Sequence, residues 1–109
     1  MKVLVVGGGG REHAIAWKLS KENNVEKIYC APGNAGIAKV AQCVNISDSD
    51  IENLVKFAKE NNIDLTVVGP EVPLVNGIVD EFEKKALKYL DQTKNALHLR
   101  EVRHFLKTL

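Results

Sequence analysis

The stretch Lys2-Val3-Leu4-Val5-Val6-Gly7-Gly8-Gly9-Gly10-Arg11-Glu12-His13-Ala14 decides the fold. An apolar run ends in four glycines, and a helical pattern begins straight after them. That is how a buried parallel strand reads when it turns sharply into a helix. Residues without a Cβ let the backbone come very close to a ligand. The free N–H groups of the helix's first turn point at whatever sits there and favour an anion. The expected ligand is therefore phosphorylated. The helix end alone contributes only about 0.3–2 kcal/mol, so other residues must supply specificity.

A dinucleotide-binding turn is the obvious reading, and the residues argue against it. The fingerprint G-x-G-x-x-G needs a small third residue for close helix–strand packing. Counted from Gly7 that residue is Glu12, and counted from Gly8 it is His13. The fingerprint also asks for an acid about 20 residues on, where the ribose 2′-hydroxyl is held. The second strand ends Ile28-Tyr29-Cys30-Ala31-Pro32, with no acid.

Outward from this turn, apolar and helical patterns alternate. A first helix is expected over 11–21, with Ala14, Ile15, Lys18 and Leu19 along one side. Strand two is expected over 26–30, and Ala31-Pro32-Gly33-Asn34-Ala35-Gly36 reads as a loop. Ser49 and Glu52 fit the reciprocal positions of a capping box. The helix they open runs to about Asn61, with Ile51, Leu54, Val55 and Ala58 as its buried stripe. Leu65-Thr66-Val67-Val68 is the third strand expected, and Val75, Ile78, Val79 and Phe82 make the inner face of the next helix. A short fourth strand is expected over 87–90. From Thr93 the chain again reads as a helix, with Leu99, Val102, Leu106 and Leu109 on one stripe, packed on the domain or at an oligomer contact. The division expected is thus a domain over 1–92 followed by an amphipathic helix over 93–109.

This alternation predicts an α/β fold, a small doubly wound parallel sheet with helices on both faces. Right-handed crossovers would bring the loops after the first three expected strands to one edge, where such sheets bind ligands. The 109 residues suit one small domain with its own core. Fifteen basic and 14 acidic residues are interspersed for a net charge of +1, and one Trp, two Tyr and three Phe offer little to stack on bases. No nucleic-acid partner is expected. The apolar runs are too short to span a membrane, and the N-terminus carries no signal peptide. Cys30 and Cys43 lack C-x-x-C spacing. A reducing cytoplasm, with both thiols as small apolar fillers, is the expectation, and a metal pair or disulfide is the less favoured one.

The converging loops supply the candidate ligand contacts: Gly8, Gly9, Gly10, Arg11, Glu12 and His13 from the first, Asn34 from the second, Pro70 and Glu71 from the third. Arg11 either forks onto a phosphate or stands solvated at a helix start. Glu12 has the alternative role of an N-terminal acid that suits the helix dipole. His13 touches ligand or is simply packed and hydrogen-bonded. Asn34 hydrogen-bonds a ligand hydroxyl or occupies a left-handed turn position. Pro70 and Pro73 stiffen the third loop around Glu71. Its carboxylate is suited to accept two hydrogen bonds from sugar hydroxyls or an amine, the alternative being a solvated turn acid. No nucleophile–base pair, zinc spacing or Walker loop is present. Such a site holds a phosphorylated, polyhydroxylated small molecule and has no means of activating one.

Gly7-Gly8-Gly9-Gly10-Arg11-Glu12-His13-Ala14, Ala31-Pro32-Gly33-Asn34-Ala35-Gly36 and Val68-Gly69-Pro70-Glu71-Val72-Pro73-Leu74-Val75, in that order and spacing, resemble the N-terminal domain of the phosphoribosylamine–glycine ligase (glycinamide ribonucleotide synthetase) family. The resemblance covers about residues 1–86. It implies a Rossmann-like domain of the kind that precedes an ATP-grasp module. The family's reaction joins glycine to 5-phosphoribosylamine through a glycyl phosphate, using ATP and magnesium. The resemblance puts the glycine turn near the substrate phosphate and Glu71 near the ribose or its amine.

The family is about four times longer, so the ATP-grasp part would be missing and the chain alone inactive, with no cofactor of its own. After the last strand the family usually reads Gly-Pro-Thr-Lys, whereas here the strand and turn read Tyr89-Leu90-Asp91-Gln92, followed by Thr93-Lys94-Asn95-Ala96. The expected tail is therefore an altered one, natural or engineered. A non-catalytic folding or assembly module derived from the same domain is the alternative.

Overall fold

Val3, Leu4, Val5 and Val6 are wholly buried along the first strand, so both faces of this strand must be covered. The computed structural model describes residues 1–69 and 75–91. Its elements are β1 (Lys2–Gly7), α1 (Gly10–Leu19), β2 (Lys27–Pro32), a 3₁₀ turn (Ile37–Lys39), β3 (Gln42–Cys43), α2 (Ile51–Glu60), β4 (Leu65–Val68), α3 (Val75–Lys84) and β5 (Tyr89–Asp91). The strands form one sheet in the order β3-β2-β1-β4-β5. Every pairing is parallel: Val5 opposite Cys30 and Val67, Cys30 opposite Cys43, and Val67 opposite Leu90.

The pleat sorts side chains by alternation. Val3 and Val5 join Ile15, Ala16 and Leu19 of α1 in one core layer, with Ile28, Cys30, Leu65 and Val67. Leu4 and Val6 join Leu54, Val55 and Ala58 of α2 and Ile78 and Phe82 of α3 in the other. Tyr29 and Phe57 meet edge-on in this second layer, ring centroids 5.0 Å apart. The chain runs from β1 outward to β2 and β3, then returns across the sheet to β4. The order therefore reverses between β1 and β4, and that reversal defines the binding crevice of doubly wound sheets. The fold is the one expected, an α/β parallel sheet with helices on both faces.

Several local expectations shift. In α1 the buried residues are Glu12, Ile15, Ala16 and Leu19, while Ala14 and Lys18 are exposed. The sheet-facing stripe is rotated from the one read off the apolar residues, because a carboxylate takes an inner position. Trp17 lies outside, with the Lys18 and Lys21 ammonium groups 5.4 and 5.2 Å from its ring. Strand two continues through Ala31 and Pro32, which pair with Val6 and Gly7, so the loop begins only at Gly33.

The cap of α2 is Asp50 and not Ser49. Its carboxylate accepts from the Asn53 backbone N–H at 3.4 Å and from the Asn53 side chain at 2.7 Å. Ser49 pairs with Ser47 at 2.9 Å instead, and Glu52 is exposed. Both α2 and α3 close with a non-glycine residue in the left-handed region, Asn62 (φ 53) and Ala86 (φ 56). Ile63 N–H then donates back to the Ala58 carbonyl, and Leu87 N–H to the Phe82 carbonyl. This closure delays the last strand to Tyr89. The expected Pro70–Glu71 contacts and the amphipathic helix over 93–109 lie outside the described residues.

Candidate functional site

The C-terminal ends of β1, β2 and β4 meet at one edge of the sheet. Gly33 N–H donates to the Gly7 carbonyl at 3.1 Å, and Gly69 N–H donates to the Val6 carbonyl at 3.1 Å. The Asn34 side chain donates to the Gly8 carbonyl at 2.7 Å, and its oxygen accepts from Ile37 N–H at 2.9 Å. The loop after β2 is thereby clasped to the glycine turn. Asn34 uses both ends of its amide on backbone, and its backbone is not left-handed. It shapes the turn.

Two glycines of the turn are required for different reasons. Gly7 has φ 133, a region L side chains rarely adopt, and a Cβ there would collide with the Glu12 carboxylate. A Cβ on Gly8 would stand 2.9 Å from the Gly33 carbonyl oxygen. Gly9 is the N-cap of α1, extended at φ −97 and ψ −172, with no side chain to cap the helix. The first intrahelical bond is His13 N–H to the Gly9 carbonyl at 3.1 Å. Helix geometry thus leaves the amides of Gly10 and Arg11 without an acceptor inside the helix, the arrangement suited to an anion.

Glu12 is fully buried. Its carboxylate packs against Gly7 and Gly69, beneath the turn at the β1/β4 reversal, and a Cβ on Gly69 would collide with it. It presents no surface for a ligand, so in this structure it supports the turn from below. Arg11 is exposed beside the turn. His13 is half-buried, with its ring against Gly36: a Cβ there would lie 2.9 Å from Cε1 and 3.2 Å from Nδ1. Behind the turn, the buried Cys30 thiol donates to the Gly7 carbonyl at 3.3 Å. Burial, reinforced by Cys43 and then Glu12, pushes its pKa up to about 12. A cleft of about 600 Å³ opens at the opposite edge, lined by Met1, Asn24, Asp64 and Lys88 among others. Two of its polar groups are paired within the chain: the Met1 ammonium donates to the Asn24 carbonyl, and Asp64 accepts from Lys2 N–H.

A family model described as "Phosphoribosylglycinamide synthetase, N domain" matches residues 1–100. The chain belongs to this family. Similar curated proteins include the phosphoribosylamine–glycine ligases of Caldanaerobacter subterraneus subsp. tengcongensis, 61% identical over 109 residues, and of Clostridium acetobutylicum, 53% identical over 107. These alignments cover 100% and 98% of this chain and 26% of each relative, so the chain spans about a quarter of their length. The likeness therefore runs past residue 86 and through the tail. Among solved structures, the Thermotoga maritima phosphoribosylamine–glycine ligase matches at TM-score 0.51 and 23% identity, over 78% of this chain and 25% of that one. A Rex-family repressor matches at TM-score 0.55 and 15% identity, over 99% and 62%. At these identities both show the fold alone.

In this member of the synthetase N-domain family, Gly8, Gly9, Gly10, Arg11, His13 and Asn34 come together at one edge. Gly33, Gly36, Gly69 and Cys43 belong to the same cluster; the loops that hold the three glycines were expected at this edge, but none of the four residues was expected as a contact. The Pro-Gly dipeptide at Pro32-Gly33 signals a turn, but nothing local says that Gly33 lies under Gly8. Among the described residues, no three His, Cys, Asp or Glu side chains gather as cation ligands. No helix among them is long and apolar enough to cross a membrane.

Proposed function

We propose that this chain is the substrate-holding N-terminal part of a phosphoribosylamine–glycine ligase of purine biosynthesis, with the glycine turn taking the phosphate of 5-phosphoribosylamine or glycinamide ribonucleotide. One observation carries the reading. The uncapped start of α1 and the clasped loop after β2 lie together where the strand order reverses, in a chain 61% identical to a named ligase. Amides fixed in advance meet a phosphate without reorganising, and Gly8 and Gly9 let it approach the backbone. Arg11, exposed on the first helical turn, adds charge-assisted bonds from the open side. Glu71 is assigned the ribose or its amine by resemblance. Binding ATP and magnesium, and activating glycine, fall to the three-quarters of the relatives that this chain does not span.

The test is a calorimetric titration of the chain with glycinamide ribonucleotide. Saturable one-site binding that ribose 5-phosphate competes away supports the reading. Absence of binding overturns it and leaves a folding or assembly module. Glu71→Gln should weaken glycinamide ribonucleotide and spare inorganic phosphate; equal loss of both counts against the sugar or amine role. Glycine-dependent ATP hydrolysis by the chain alone would overturn the assignment of catalysis to the parts of the relatives that this chain does not span.

A further inference from the structure

Cys30 and Cys43 are 13 positions apart in sequence yet directly opposite each other across the parallel β2–β3 pair. Opposed residues in a parallel ladder project to the same face. Neighbouring strands lie about 4.8 Å apart, inside the Cα···Cα range of about 4.4–6.8 Å that a disulfide bridges. Both thiols are free. We propose that Cys30 and Cys43 are a disulfide-forming modification site, and that closing the bond disturbs the glycine turn.

The surroundings of the two sulfurs carry the second half of the proposal. Cys30 Sγ donates to the Gly7 carbonyl at 3.3 Å, and Cys43 Sγ donates to the Asn34 carbonyl at 3.5 Å. Gly33 lies against the Cys43 sulfur: a Cβ on it would stand 2.5 Å from Sγ, and its φ of 75 already demands glycine. Gly33 N–H and the Cys30 thiol share the Gly7 carbonyl as acceptor. A disulfide removes both S–H donors. The Gly7 carbonyl, one of the two points where loop and turn are joined, then keeps only its bond from Gly33, and the Asn34 carbonyl keeps only its bond from Ala38 N–H, in the residue whose side chain makes the other joint to Gly8.

The residues also divide the chemistry. Cys43 is exposed and Cys30 buried, so a low-molecular-weight disulfide RSSR meets Cys43 first. The Cys43 thiolate attacks one sulfur of RSSR, its S–S bond breaks, the RS⁻ released takes a proton to become RSH, and Cys43–S–S–R remains. Cys30 then attacks the Cys43 sulfur and expels the second RSH. The sum is two thiols plus RSSR giving one protein disulfide and two RSH, with the protein oxidised by two electrons and RSSR reduced by two. The raised pKa of Cys30 makes the second step the slow one.

The test treats the reduced, unmodified chain with oxidised glutathione and follows intact mass and backbone amide shifts. The expected result is the loss of two hydrogens in a monomer carrying no glutathione. Neither cysteine should be alkylated after denaturation, and a dithiol should restore both. Amide shifts should move at Gly7, Gly8, Gly33 and Asn34 as well as on β3. A persistent glutathione adduct on Cys43 with Cys30 still alkylatable, a covalent dimer through Cys43, or no oxidation would each overturn the site. A disulfide whose shifts stay within residues 42–44 would overturn its coupling to the turn. The inference stands apart from the phosphate reading, since no ligand enters the experiment.

Discussion

Alanine at Gly8 and alanine at Gly10, two residues apart in one glycine run, should change stability in opposite directions. At Gly8 the new Cβ meets the Gly33 carbonyl oxygen at 2.9 Å. That oxygen cannot retreat freely, because Gly33 N–H is bonded to Gly7 and the next residue's side chain to Gly8. Forcing an extra carbon into a packed site costs about 1–3 kcal/mol. A change of 1 kcal/mol moves the Tm of a domain of this size by about 4–8 °C, so Gly8→Ala should lower it by roughly 5–20 °C. At Gly10 a Cβ meets nothing within 4 Å, and the residue opens α1 with an ordinary φ. There the lower backbone entropy of alanine in the unfolded chain gains about 0.5–1 kcal/mol, a rise of a few degrees. Thermal melts followed by far-UV circular dichroism read both. Equal melting of Gly8→Ala and the parent would show that the loop after β2 is not clasped to the turn. A fall at Gly10 matching that at Gly8 would show that the glycines act through a shared flexibility and not through this contact.

Two further outcomes follow from the same edge. Asn34→Ala removes two neutral hydrogen bonds at 2.7 and 2.9 Å, and at an exposed position this should cost about 1–2 kcal/mol in chemical denaturation; a change within error would refute its role as a clasp. The Cys30 thiol is raised from 9.0 to about 12 in the folded chain, so the unfolded chain loses that proton first. Under reducing conditions its contribution should be intact below pH 9 and fade as the pH rises toward about 12. Measured against Cys30→Ala, the stability difference should shrink across that window, and a difference independent of pH would contradict the burial argument.

The residues that announce themselves locally are the ones that were legible. The apolar run into four glycines, and Leu65 to Val68 between turn signals, each specify a strand without outside information. So does the spacing of Ile51, Leu54, Val55 and Ala58 for α2, whose buried side is as expected. What escaped depends on long-range placement. The strand β3 has two exposed residues, Gln42 and Cys43, and no apolar pattern; only its pairing with β2 makes it a strand. Glu12 looked like a first-turn acid facing a ligand, whereas the gap between β1 and β4 draws it inside. Nothing local announced the bonds of the Asn34 side chain to the Gly8 carbonyl and from Ile37 N–H. Cys43 looked like a filler, and it became an exposed partner of Cys30 once register was known. At the site, the elements were readable and the contacts between them were not.

Residue-resolved amide shifts during a titration with glycinamide ribonucleotide test the central claim most directly. The account predicts saturable changes clustered over residues 8–13, together with Gly33 and Asn34. It predicts their disappearance in Gly9→Val, where a branched side chain blocks approach to the turn. Shifts confined to the cleft at the opposite edge, around Met1, Asn24 and Asp64, or unchanged binding by Gly9→Val, would contradict it.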